Sequence, residues 1–150
     1  MDEIRKVLYE KCIAYVNQRL QTIEEVIQSN QKALQTATKS SAGDKHETGR
    51  AMLQLEMEKA GQQLANITEM KIILAKMNIS EESDKAHLGS VIKTNFANYF
   101  LSISAGKLEV LGESYFAVSI SSPIGKILLG KDKGDVISFN AKEIIIQQIF

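Results

Sequence analysis

The sequence predicts an α+β protein, an N-terminal antiparallel helical hairpin followed by a small, mostly antiparallel α+β domain. Three observations carry that prediction. Helix breakers are missing from the first quarter, since Pro123 is the only proline and no glycine precedes Gly43. Apolar residues in that stretch recur in alternating steps of four and three, the period of a coiled-coil seam. Past Asn78 the texture changes to short runs rich in β-branched and aromatic residues, broken by glycine-containing turns.

The first seam reads Tyr9, Ile13, Val16, Leu20, Ile23, Ile27, Asn30, Leu34 and Ala37. Only Asn30 is polar, and a single polar seam residue commonly sets register. The second seam reads Leu53, Met57, Ala60, Leu64, Ile67, Lys71 and Leu74, with Lys71 its one misfit. Gly61 lies outside the stripe and weakens that helix mildly. Between the seams, small polar residues and Gly43 in the segment from Lys39 to Gly49 mark a short turn. A turn midway between runs of similar length favours antiparallel neighbours over a rod-like dimerisation coil, which stays an alternative. The arms are expected at about 2–40 and 45–77, each on the order of 50 Å long at 1.5 Å per residue.

The domain reading is 1–78 for the hairpin, 79–89 for a polar linker and 90–150 for the second domain. Strands are expected over Ser90–Thr94, Tyr99–Ser104, Lys107–Leu111, Tyr115–Ile120, Val136–Phe139 and Glu143–Ile149. Ala105-Gly106, Gly112-Glu113 and Lys133-Gly134-Asp135 supply turns. The run from Ser122 to Gly130 reads as one short helix, with Pro123 in its first turn and Gly130 where a C-cap belongs.

Composition narrows the function classes. The chain has 150 residues, 44% of them hydrophobic and 24% charged, too apolar for a disordered protein. Eighteen bases balance eighteen acids, which excludes a blanket of positive charge for gripping nucleic acid. The lone Cys12 cannot form an internal disulfide and points to a reducing cytoplasm. It also excludes zinc-finger and iron–sulfur frameworks. No stretch is apolar enough for a signal peptide or a membrane span, so a soluble intracellular protein is expected.

Catalytic signatures are missing. There is no GxGxxG, P-loop, HExxH or GxSxG pattern, and His46, His87 and Cys12 are scattered along the chain. A self-contained hydrolase or metalloenzyme is therefore not expected. The turn between the seams is more informative. Asp44 and Glu47 are spaced i, i+3 at the start of the second helix, where neighbouring carboxylates can project from one end. The same spacing suits a capping box that satisfies exposed backbone donors, and the two readings are compatible.

The order of a helical hairpin, a Gly43-Asp44-Lys45-His46-Glu47 tip and a second-domain motif running from Ser122-Pro123-Ile124-Gly125 through Leu128-Leu129-Gly130-Lys131 to Gly134-Asp135 resembles the bacterial Gre-type transcript cleavage factors (GreA/GreB). The likeness spans nearly the whole chain. It departs at the tip, where Lys45-His46 and Thr48-Gly49-Arg50 replace the Leu-Ser and Asn-Ala-Glu-Tyr that are usual in the family.

The resemblance implies an FKBP-like second domain that docks at the rim of the RNA polymerase secondary channel. The hairpin then delivers its acidic tip to the active site, where it promotes cleavage of the backtracked nascent RNA 3′ end. The protein would be an accessory factor with no cofactor of its own, sharing a Mg²⁺ with the polymerase active site. Asp44 would be the metal ligand and Glu47 the group that orients or deprotonates water, though the roles are exchangeable. Ser122, Pro123, Ile124 and Gly125 would form the docking segment, although a proline-started helix packing into the core accounts for them as well. Lys39, Lys45 and Arg50 are candidate RNA contacts, with charges that solvate a turn as the plainer account. Weak DNA or RNA contact, a monomeric state and a bacterial cytoplasmic location complete these expectations. An FKBP-like fold does not bring prolyl isomerase activity, which needs an aromatic-lined pocket, and the chain has no tryptophan. Two alternatives stay open: a secondary-channel regulator that binds without inducing cleavage, and a coiled-coil interaction protein.

Overall fold

The computed structural model describes the backbone of residues 2–39 and 44–150 and the side chains of 2–36 and 48–150. Two long helices come first, α1 (Asp2–Lys39) and α2 (Asp44–Lys76). The strands β1 (Val91–Thr94), β2 (Asn98–Ser102), β3 (Gly106–Val110) and β4 (Glu113–Ser119) follow, then a short helix α3 (Pro123–Leu128). β5 (Val136–Phe139) and β6 (Lys142–Ile149) close the chain. The α+β class and every expected element are present, with boundaries within a few residues of those the sequence predicts.

The described chain forms two compact units, Val16–Met70 and Met1–Tyr15 together with Lys71–Phe150. The first unit is hairpin alone. Among the described residues, Val16, Ile23 and Asn30 of α1 and Ala60 and Ile67 of α2 are its buried positions, all of them on the expected seams. Leu20, Ile27, Leu34, Leu53, Met57 and Leu64 are half-buried at the remaining seam positions. Each fully buried aliphatic side chain contributes about 1.5–3 kcal/mol, which is what holds helices too polar to stand alone. Asn30 is the exception, a buried amide whose Nδ2 has no hydrogen-bond partner among the described residues.

In the second unit the six strands form one sheet in the order β3-β4-β2-β1-β6-β5. Neighbouring pairs run antiparallel except β2–β4, which is parallel over Tyr99–Ser102 and Phe116–Ser119. Alternation gives the sheet two faces. On one face Ile92, Tyr99, Leu101, Ile137, Ile144 and Ile146 pack with Ile124 and Leu128 of α3. On the other, Phe100 and Ser102 are fully buried, and Cys12 Sγ of α1 lies 3.7 Å from Ser102 Oγ. The first turns of α1 therefore cover that face.

This double duty changes the α1 seam. Tyr9 and Ile13, expected as seam residues, are half-buried, whereas Arg5, Leu8 and Cys12 are essentially inaccessible. The first turns of α1 serve two neighbours. Tyr9 hydroxyl donates to the Leu74 carbonyl of α2 (3.0 Å), while the stripe ending in Cys12 meets the sheet. Arg5 is 1% exposed, and its guanidinium donates to the Glu81 carbonyl (2.6 Å) and to Asp2 Oδ1 (2.9 Å).

The units also divide the chain differently from the expected 1–78, 79–89 and 90–150. Ala86, inside the expected linker, is a core residue. Its amide donates to the Lys131 carbonyl and its carbonyl accepts from the Gly130 amide, at 2.9 and 2.7 Å. Lys85 Nζ pairs with Asp132 Oδ2 at 3.1 Å. Polar composition suggested a linker, but backbone pairing to the segment after α3 makes the stretch part of the domain.

Burial pushes the Cys12 thiol up from 9.0 to about 11, only partly offset by its hydrogen bond with Ser102. The unfolded thiol ionises first as pH rises, so this stability is complete below about pH 9 and is lost as pH climbs through about 11. Urea unfolding between pH 8 and 11 is expected to show an alkaline loss on the order of 2–3 kcal/mol that is missing in Cys12→Ala. An identical pH slope in the variant would remove the thiol from the account.

Candidate functional site

Apart from Gly43, the candidate tip residues fall at the end of α1 and in the first turns of α2. α1 ends at Lys39 and α2 opens at Asp44, so Asp44, Lys45, His46 and Glu47 occupy the first turn of α2. The side chains of Lys39, Asp44, Lys45, His46 and Glu47, and the whole of Gly43, lie outside the described residues. Arg50, one turn further along α2, is exposed. A carboxylate in the first turn of a helix is favoured by the partial positive charge of the helix N-terminus, whatever else it does.

The Ser122–Gly125 segment is built around one carbonyl. The Ser119 carbonyl accepts from the Ser122 amide (3.0 Å) and from Ser122 Oγ (2.6 Å). Ser122 is the N-cap of α3, and its Oγ also accepts from the Gly125 amide at 3.1 Å. Pro123 at the first helical position has no amide to leave unsatisfied. Gly125 is required by contact, because a Cβ there would sit 1.9 Å from the Ser119 oxygen. Each residue type in Ser-Pro-x-Gly thus has a local structural reason.

This geometry sorts the candidate docking residues. Ile124 is 8% exposed and belongs to the core under α3, and Gly125 is buried against Ser119. Pro123 is exposed and Ser122 half-buried. A partner that reaches this segment meets Pro123 and not Ile124.

One polar cluster escaped the sequence reading. On the sheet face opposite α3, Lys93 Nζ lies 2.9 Å from Glu113 Oε2, which also accepts from Tyr115 hydroxyl at 3.3 Å and Asn98 Nδ2 at 3.4 Å. The hydrogen bond from Lys93 holds the Glu113 carboxyl below the usual carboxylate range, and the same bond raises the Lys93 ammonium. Charges already satisfied by one another form a stabilised surface network and leave no group poised for proton transfer. Only the cross-strand register brings them together, so no local motif announces them. Among the described residues no group of three or more His, Cys, Asp or Glu side chains is placed to hold a metal ion. No helix among them is long and apolar enough to cross a membrane.

No family model matches the chain, and no curated protein matches it. Among solved structures, it is similar to one described as the transcription factor Gfh1, at 22% identity and a TM-score of 0.34, over 93% of this chain and 89% of that one. A superposition that loose is a likeness and nothing more.

The cap geometry has a measurable consequence. Gly125→Ala is expected to destabilise the protein by on the order of 3 kcal/mol, because backbone must move to clear the Ser119 oxygen. Ser122→Ala, which loses the cap, should cost about 0.5–2 kcal/mol. Chemical denaturation of both variants checks the order, and a neutral Gly125→Ala would refute the close-packing account.

Proposed function

We propose that this chain is a transcription elongation factor that enters the secondary channel of RNA polymerase and stimulates cleavage of backtracked RNA by the polymerase's own active site. The observation that supports this reading is the position of the helix break. α1 stops at Lys39 and α2 starts at Asp44, so two carboxyl-bearing residues, Asp44 and Glu47, open the second arm of a helical hairpin. The resemblance to the Gre-type factors asks for acids at that point, followed by a small α+β domain carrying the Ser-Pro-x-Gly motif. The proposal takes that domain to be FKBP-like and to dock on polymerase through the exposed Pro123 side of the cap. It also places the protein in the bacterial cytoplasm as a monomer.

In this reading the hairpin is a carrier and the chemistry is shared. Mg²⁺ prefers hard oxygen ligands and keeps waters, so a carboxylate at Asp44 is the right ligand type for an ion that polymerase holds weakly. A second carboxylate, Glu47, orients the attacking water or takes its proton. Lys39, Lys45 and Arg50 are bases beside these acids in sequence, suited to the phosphates of the extruded RNA. The protein acts as an accessory factor and not as a stand-alone enzyme. One observation favours a second reading. Lys45 and His46 stand between the two acids where the family usually has Leu-Ser, and basic neighbours weaken capture of a cation. A protein that occupies the channel and regulates without cleaving would carry such a tip.

The experiment uses stalled, backtracked elongation complexes. Wild-type protein is expected to shorten the RNA. Asp44→Asn should abolish shortening while the protein still competes for polymerase, with partial rescue by added Mg²⁺. Glu47→Gln should slow it about 100-fold or more with less metal dependence, the scale of losing a general base. Binding to polymerase without shortening at any Mg²⁺ concentration would select the regulator, and no binding at all would sink both readings.

A further inference from the structure

A cavity of about 620 Å³ opens where the first turns of α1, the segment after α2 and the end of β6 meet, all within the larger compact unit. Ile149 and Phe150 contribute apolar lining, and Asp2, Arg5, Glu82 and Asp84 contribute charge. The walls are held in place. The Glu81 amide donates to the Asn78 carbonyl (3.2 Å), and the Lys85 amide donates to Ser83 Oγ (3.2 Å). The Phe150 amide donates to the Val91 carbonyl (2.9 Å), which fixes the end of the sheet. Walls set in advance lower the ordering cost of taking up an occupant.

The charges of this lining do not balance. Arg5 and Asp2 neutralise one another at 2.9 Å. Glu82 and Asp84 are exposed and form no ion pair among the described residues. The adjacent Lys85 is engaged elsewhere, by Asp132 at 3.1 Å. Two uncompensated carboxylates therefore face an occupant, and they favour a cationic one.

Arg5 makes a second and independent demand. It belongs to the cavity wall and is 1% exposed. Two of its nitrogens donate to the Glu81 carbonyl and to Asp2, but Nε has no partner among the described residues. A buried donor left without an acceptor is unfavourable, the more so on a charged group. The occupant that suits this site brings positive charge, an apolar part and a hydrogen-bond acceptor together. A bare metal ion offers no acceptor, and no group of three or more His, Cys, Asp or Glu side chains is placed to hold one among the described residues. A polyamine lacks an acceptor as well, and a phosphate is repelled by Glu82 and Asp84. A basic peptide has all three.

We propose that this cavity docks a basic peptide segment of a partner protein. Its lysine or arginine side chains meet Glu82 and Asp84, a backbone carbonyl accepts from Arg5 Nε, and an apolar side chain between the bases lies on Ile149 and Phe150. The site is separate from the Ser122–Gly125 cap and from the acidic tip, and it does not rest on the role at polymerase.

The test uses the full chain and three probes: a short capped peptide with two lysines around a leucine, the same peptide with glutamates for the lysines, and spermidine. Calorimetry reads affinity, and NMR follows the Glu82, Ser83 and Asp84 amides, the Ile149 methyls and the Arg5 Nε–H signal. The lysine peptide is expected to bind, less tightly as salt rises, and to move all of these signals. The glutamate peptide should bind about tenfold more weakly or worse, and spermidine should leave the Arg5 Nε–H signal in place. Glu82→Gln combined with Asp84→Asn changes only exposed side chains, so the melting temperature should hold while the lysine peptide weakens about tenfold or more. Reading Arg5 by its own signal avoids a substitution that endangers the fold. The proposal is overturned by absence of binding, by unchanged affinity in the double variant, or by equal affinity for the lysine and glutamate peptides. An unmoved Arg5 Nε–H signal or shifts that map elsewhere would overturn it too. Spermidine binding as tightly as the peptide would also overturn it, giving the cavity to small polycations.

Discussion

The buried guanidinium of Arg5 is the interaction on which the larger unit depends. It joins the first turns of α1 to the Glu81 carbonyl, 76 positions away in sequence, and is itself met by Asp2. A charge that is 1% exposed is costly unless hydrogen bonds replace its water. Here two of its nitrogens are bonded, while Nε has no partner among the described residues. The polar end of this stripe fixes where the chain resumes after α2. Its apolar end, through Leu8 and Cys12, supplies cover for the sheet face that carries Phe100 and Ser102. That face would otherwise expose fully buried side chains, so the base of the hairpin and the sheet form one compact unit.

A second constraint works on the opposite face. One carbonyl, that of Ser119, accepts twice from Ser122 and lies so close to Gly125 that no side chain fits. This locks the start of α3, and with it Ile124 and Leu128, over the core. The motif that most strengthens the family resemblance is therefore explained first as structure. The docking role proposed for it is confined to what the lock leaves outside, chiefly Pro123. A motif's identity and its accessible surface are separate questions, and here only one residue in four is clearly exposed.

The C-terminal end of α1 bears on the proposed function. At Lys39 the helix stops and α2 resumes at Asp44, so the acids proposed to work in polymerase sit at a helix start, where negative charge is favoured in any case. Capping and catalysis make the same demand on residue type there, which is why substitutions that keep size and remove charge separate them. At the other end of α1, Asp2 and Arg5 belong to the wall of a cavity whose Glu82 and Asp84 form no ion pair among the described residues. The polar network of Lys93, Glu113 and Tyr115 shows the contrasting case, a charged cluster whose members satisfy one another.

Local pattern was enough for much of this protein. The 3.5-residue period placed both long helices, β-branched runs placed the six strands, and Pro123 marked the first position of α3, because each signal acts over a few residues and is written in consecutive side chains. The helix break that sets Asp44 and Glu47 at the start of α2 was legible for the same reason. Tertiary structure decided what depends on residues far apart. Parallel pairing of β2 with β4 cannot be read from either strand, since both alternate in the same way whichever neighbour they have. Cys12 displaced Ile13 as the buried residue because α1 packs on the sheet as well as on α2. The polar stretch around Ala86 became part of the domain through bonds to Gly130 and Lys131. The burial of Ile124 and the cavity that Arg5 shares with Glu82 and Ile149 likewise exist only once distant segments meet, and no spacing along the chain encodes that meeting.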